Sequence, residues 1–169
     1  MKNFYKNKKI LVTGGSGMIG SSLVKKLVKL GAKVTVVSLE LNRSLPKNII
    51  FKKVDLRNLQ NCIKVTKKID YVFHLAGIKG SPLMAKKLPY KFMSPMIMFN
   101  TNIIEAAKIN KVKRFMYTSS IGVYEPAPIL KEKNVWETFP SKNDWFAGWA
   151  KRIGELTIEA CKKETGMNM

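Results

Sequence analysis

A chain of 169 residues can hold one ordinary domain with a sizeable core, and its 46% apolar and 25% charged residues exclude a disordered or low-complexity chain. The 31 basic against 11 acidic residues give a net charge of +20, which taken alone suggests a nucleic-acid partner. The lysines are spread along the whole chain, however, and only Arg43, Arg57, Arg114 and Arg152 carry the guanidinium fork that phosphate and base recognition favours; a solvated compositional bias, with no specific nucleic-acid binding, is expected.

Lys8 to Thr13 reads as a short apolar strand running straight into Gly14-Gly15-Ser16-Gly17. A helix follows from Met18 to Leu30, with Ile19, Leu23, Val24, Leu27 and Leu30 on one face, and Gly31 ends it. Further strands are expected over Lys33–Val37, Ile49–Val54, Asp70–Leu75 and Val112–Thr118, with helices over Leu59–Lys67 and about Phe92–Asn110, the latter delayed at its start by Ser94-Pro95. Ile121–Asn143, with Pro126, Pro128 and Pro140, reads as a long functional loop. A last helix runs from Trp145 to Lys163, and Gly166 stops it. Strands alternating with helices imply a parallel sheet. No internal repeat or linker interrupts the chain.

No stretch is long and apolar enough to span a membrane, and Met1 to Lys6 lacks a secretion signal's apolar core; a cytoplasmic protein is expected. Cys62 and Cys161 have no Cys or His at ligand spacing, so no metal site is expected and both are read as buried filler.

The order strand, Gly14-Gly15-Ser16-Gly17-Met18-Ile19-Gly20, helix supplies the context a dinucleotide fingerprint requires. One glycine makes the sharp turn, the middle one lets backbone approach a pyrophosphate, and the third lets helix and strand pack closely. Free N–H groups at the helix start, those of Met18 and Ile19 among them, would face the phosphates.

With these residues the chain resembles the short-chain dehydrogenase/reductases, and within them the extended NAD-dependent epimerase/dehydratase family that acts on nucleotide sugars. The likeness extends over the whole chain through Val54-Asp55-Leu56-Arg57, His74-Leu75-Ala76-Gly77, Asn102-Ile103-Ile104-Glu105-Ala106-Ala107, Tyr117-Thr118-Ser119-Ser120-Ile121-Gly122-Val123-Tyr124 and Gly148-Trp149-Ala150-Lys151. It implies an α/β fold, a Rossmann-type doubly wound parallel sheet in three layers. It also implies NAD(P) held by Gly14, Gly17, Met18, Ile19, Gly20, Ser38, Asp55, Leu56, Leu75, Ala76, Gly77 and Lys151, and a nucleotide-sugar substrate oriented by Ser120. Asp55 would meet the adenine amino group or serve as a turn carboxylate. His74 is read as a satisfied strand-end histidine and Asp144 as the cap of the last helix rather than as catalytic groups.

Two departures qualify this. The tyrosine that exchanges the substrate proton should stand four residues before Lys151, where the chain has Ala147; a methyl group does no acid–base chemistry, and Tyr124 is a distant substitute. At the end of the second strand, where an Asp would favour NAD, stands Ser38, and Arg43 is a candidate to neutralise a 2′-phosphate, while Glu40 could restore an NAD-type contact. NADP is therefore favoured slightly over NAD. The alternatives to a working enzyme are a catalytically silent NAD(P)-binding sensor or scaffold and a basic nucleic-acid-associated protein. The chain is expected to be an incomplete domain that stops before a sixth strand and a substrate lobe, with the fifth strand near Phe115 left as a bare edge and a homodimer formed by the longer protein.

Overall fold

The computed structural model describes residues 4–41, 44–78 and 80–169. Five parallel strands, β1 (Lys9–Thr13), β2 (Lys33–Ser38), β3 (Ile50–Lys53), β4 (Tyr71–His74) and β5 (Arg114–Tyr117), lie in the order β3-β2-β1-β4-β5. β1 and β2 are apolar on successive residues because both faces of the sheet are covered. Ile10, Val12, Val34 and Val36 pack with Val24 and Leu27 of α1 (Met18–Lys29). Leu11, Val37, Val72 and Phe115 face the opposite layer of α2 (Leu59–Thr66), α4 (Pro89–Ile109) and α5 (Trp145–Thr165). The alternation of elements predicts the parallel sheet, and the family resemblance the doubly wound three-layer arrangement seen here.

The chain leaves β1 towards β2 and β3, then returns to place β4 and β5 on β1's other side. The reversal opens a crevice at the carboxyl ends of β1 and β4, where such sheets hold ligands.

Two readings are extended and two are corrected. A short helix, α3 (Pro82–Lys87), precedes α4; Ser81 caps it by accepting from the Met84 N–H at 3.2 Å, and Ser-Pro ahead of a helical turn was the legible signal. α4 starts at Pro89 rather than near Phe92 and carries Pro95 inside it. Proline at the first helical position is preorganised, and the cost of Pro95 is met by burying Phe92, Met96 and Phe99. The stretch 121–143 contains two 3-10 turns, Ile121–Val123 and Glu132–Asn134. Arg152, 2% exposed, ties it down by donating to the Val123 carbonyl from Nε and Nη2 and to the Thr138 carbonyl from Nη1. Finally, β5 is not bare at Phe115: its side chain is buried and its N–H donates to the Asn168 carbonyl at 2.9 Å, while Met167 and Met169 pack on the core.

α5 ends as read, at Gly166 in the left-handed conformation (φ 68°) with its N–H on the Lys162 carbonyl. Both cysteines are buried; desolvation raises the Cys62 thiol to about 12, and it donates to the Leu56 carbonyl.

Candidate functional site

At the mouth of β1 the chain turns through Gly14, whose φ of 66° and contact with β4 leave no room for a side chain: a Cβ there would stand 2.7 Å from the Leu75 oxygen and 2.8 Å from the Ala76 nitrogen. Gly20 is packed as tightly, its missing Cβ falling 2.3 Å from the Gly14 oxygen. Gly17 differs. Its backbone is extended (φ −74°, ψ 177°), open to any residue, and a Cβ would meet only the Gly14 oxygen at 3.2 Å. Backbone strain does not demand a glycine here, and a side chain would require the Gly14 carbonyl to yield by a few tenths of an ångström. α1 begins at this point with no side-chain cap and no acidic residue in its first turn, and Met18 and Ile19 are 87% and 65% exposed. Their N–H groups, which have no intrahelical acceptor, sit at the positive end of the helix dipole.

On one side of this turn, the Ser16 hydroxyl donates to that of Ser38 at 2.5 Å, joining the turn to the end of β2. Arg43 lies outside the described residues. Asp55 grips Arg57 through Nε and Nη2 and also accepts the Arg57 backbone N–H at 2.9 Å. The turn role allowed for Asp55 is therefore present, and the Arg57 side chain holds its carboxyl below the usual range. Leu56 is buried, and its carbonyl accepts from the Cys62 thiol and from Asn102 Nδ2.

On the other side the crevice is backed by a buried chain of hydrogen bonds. The Ala76 N–H donates to Thr13 Oγ1 at 3.3 Å, and Thr13 Oγ1 lies 2.6 Å from His74 Nδ1. His74 Nε2 lies 2.9 Å from Asn100 Oδ1, Asn100 Nδ2 donates to the Tyr117 hydroxyl at 3.0 Å, and that hydroxyl donates to the Lys151 carbonyl at 3.3 Å. One proton arrangement satisfies all members: Thr13 donates to an unprotonated Nδ1, and Nε2–H donates to Asn100. His74 is fully buried, and desolvation lowers it to about 3, so it stays neutral in this chain. The sequence reading of His74 as a satisfied strand-end residue agrees with this geometry. Burial also pushes the Tyr117 phenol up.

Lys151, 8% exposed, donates from Nζ to the Thr118 carbonyl at 2.8 Å and lies 4.8 Å from the centre of the Tyr117 ring. Desolvation, opposed by Glu155, lowers its ammonium to about 8. Next to it is a cavity of about 220 Å³ lined by Gly77, Ser120, Asp144, Ala147 and Lys151 among others. The two serines ending β5 separate cleanly: Ser119 donates to Glu155, whereas Ser120 lines the cavity and uses its oxygen to accept the Gly122 N–H, leaving its proton available. Tyr124 does not line the cavity. Asp144 does: it is the N-cap residue of α5, as read, its backbone carbonyl accepting the Gly148 N–H at 2.6 Å, but its carboxylate makes no capping hydrogen bond. Its proximity to Ala147 is the feature that sequence reasoning missed, although a helix-start acid three residues before the vacant tyrosine position was visible.

The structure thus brings Gly14, Gly17, Gly20, Leu75, Ala76 and Gly77 to one crevice and Ser120, Ala147 and Lys151 to the cavity at its end. Among the described residues no group of His, Cys, Asp and Glu could hold a metal ion, and no helix is long and apolar enough to cross a membrane.

Known proteins match this arrangement. GDP-mannose 3,5-epimerase of Arabidopsis thaliana is 36% identical over 132 residues, which are 76% of this chain and 35% of the relative. A UDP-glucose 4-epimerase structure from Thermotoga maritima superposes with a TM-score of 0.81 at 27% identity, covering 94% of this chain and 52% of the other. UDP-N-acetylglucosamine 4-epimerase from Methanobrevibacter ruminantium, solved with UDP-N-acetylmuramic acid, does so with 0.79 at 30% identity, covering 96% and 53%. The chain spans about half the length of these structures or less of the curated relative. With the family's profile matching residues 10–169, the chain belongs to the NAD dependent epimerase/dehydratase family.

Proposed function

We propose that this chain is the NAD(P)-binding part of a nucleotide-sugar epimerase, dehydratase or reductase. The observation that carries the reading is Gly17: its backbone needs no glycine, yet a Cβ would occupy the space in front of the uncapped α1 amides. A dinucleotide fits this cradle, its pyrophosphate meeting the Met18 and Ile19 N–H groups. The hydroxyl of Ser38, standing where a carboxylate would repel a 2′-phosphate, favours NADP over NAD. The bound nicotinamide would supply hydride chemistry. Lys151 has two ammonium protons beyond the one given to Thr118 and would use them on the nicotinamide ribose. Ser120 would donate its free proton to a sugar hydroxyl or carbonyl. Leu75, Ala76 and Gly77 would form the floor.

Ala147 favours a second reading, a catalytically silent NAD(P)-binding sensor or scaffold, because general acid–base assistance is typically worth about 10²- to 10⁴-fold and a methyl group provides none. Titrating the folded chain with NADP(H) and NAD(H), by cofactor fluorescence and thermal shift, tests the common part of both readings; the absence of any saturable response would sink them. Isotope exchange from a nucleotide sugar into the bound cofactor then separates them. An enzyme exchanges label, and Ala147→Tyr should accelerate the exchange, whereas a sensor shows none.

A further inference from the structure

The geometry points to Lys53 as the residue that selects a phosphorylated dinucleotide, its ammonium meeting a phosphate on the 2′ oxygen of the adenosine ribose. This inference rests on the dinucleotide reading and adds a residue that neither the glycine turn nor the end of β2 contains. In the β2–β3 register, Val36 is paired with Phe51, Val37 with Lys52 and Ser38 with Lys53. Paired residues of neighbouring parallel strands project on the same face, and successive residues on opposite faces. Val36 and Phe51 pack in the core beneath α1. Two residues further along each strand, Ser38 and Lys53 project on that same face, at the carboxyl edge of the sheet where the glycine turn lies, and Lys52 projects on the opposite one.

The hydroxyls of Ser16 and Ser38 meet on that face at 2.5 Å. Ser38 rather than a carboxylate closes β2, Glu40 standing two residues beyond it, and Lys53 is exposed and enters no ion pair among the described residues. Arg57, the other nearby cation after β3, is closed on Asp55 by its own fork. The edge therefore offers two hydroxyls and one uncommitted ammonium within reach of the ribose. A phosphate monoester carries about −1.5 to −2 charges at neutral pH, and a flexible lysine binds it as a point charge. A ribose hydroxyl has no charge for Lys53 to meet, so the contact separates the two cofactors instead of strengthening both.

The test is titration of the full chain with NADP(H) and NAD(H), as wild type, Lys53→Met, Ser38→Asp and Arg43→Met, at low and high salt. The wild type should bind NADP(H) about tenfold or more tighter than NAD(H), with the margin shrinking as salt screens the exposed pair. Lys53→Met should remove most of that margin, lose its salt dependence and leave NAD(H) affinity within about twofold; Ser38→Asp should reverse the preference. A wild type that prefers NAD(H), equal losses for both cofactors in Lys53→Met, or a preference abolished by Arg43→Met and untouched by Lys53→Met would each overturn the assignment while leaving the dinucleotide reading intact. Binding of neither cofactor by a folded chain would overturn both.

Discussion

The two ends of the crevice are built on opposite principles. At the glycine turn and the end of β2, the groups that would face the proposed dinucleotide are backbone amides at an exposed helix start, two hydroxyls and a solvated lysine. At the other end, His74 and Asn100 are fully buried and Lys151 nearly so, and Thr13, His74, Asn100 and Tyr117 join Ala76 to α5 in one continuous chain of hydrogen bonds. Changes at the open end should alter what binds without altering the fold. Changes at the closed end should alter the fold first, because an unpaired buried polar group costs more than a made hydrogen bond gains.

The sharpest way to break this contrast is Gly17→Val at the open end. The extended backbone accepts valine, and the loss of a preferred helix-cap residue costs about 1 kcal/mol, so the chain should remain folded while saturable dinucleotide binding disappears. Retained binding would show that the crevice holds nothing at Gly17. At the closed end, His74→Leu should lower unfolding free energy by about 2–4 kcal/mol, because Asn100 and Thr13 lose partners where water cannot replace them; denaturant titration would expose a cost under about 1 kcal/mol, which would mean the chain of hydrogen bonds is not cooperative.

The same residue makes a pH prediction. The imidazole is held at about 3 in the fold against an ordinary value of 6.5, so the unfolded state takes up the proton first, and the stability present above pH 6.5 is lost as the pH falls towards 3. The leucine variant should lack that part of the acid sensitivity. Lys151 acts in the alkaline range: with its ammonium at about 8 in the fold against 10.5 otherwise, the unfolded state binds more protons between those values, and stability should rise with pH across that window. Comparing wild type with Lys151→Met by denaturation at several pH values isolates the contribution, and identical slopes would refute it. The smallest effect returns to the open end: Arg57→Ala, which removes an exposed fork to Asp55, should leave the denaturation midpoint nearly unchanged because solvent screens such a pair, and a clear loss would mean that the 54–58 turn is part of the core.

What was legible in the sequence is what short-range chemistry encodes. The apolar run before Gly14, the helical spacing after it, the β-branched second strand and the glycine stop at 166 each depend on a few neighbouring residues, and the order of elements carried the parallel sheet with them. Local pattern failed where tertiary burial overruled it. α4 runs through Pro95 because Phe92, Met96 and Phe99 are anchored in the core, and the loop 121–143 is fixed by the buried guanidinium of Arg152, which no periodicity in the loop announces. The site divides in the same way. The glycines could be named from their spacing between a strand and a helix, and Lys151 from the family resemblance of its helix. The partition of Ser119 to Glu155 and Ser120 to the cavity, the freeing of the Asp144 carboxylate, the neutral His74 and the pairing of Lys53 with Ser38 were decided only when strands far apart in the chain came into register, because burial and hydrogen-bond partnership are properties of neighbours in space.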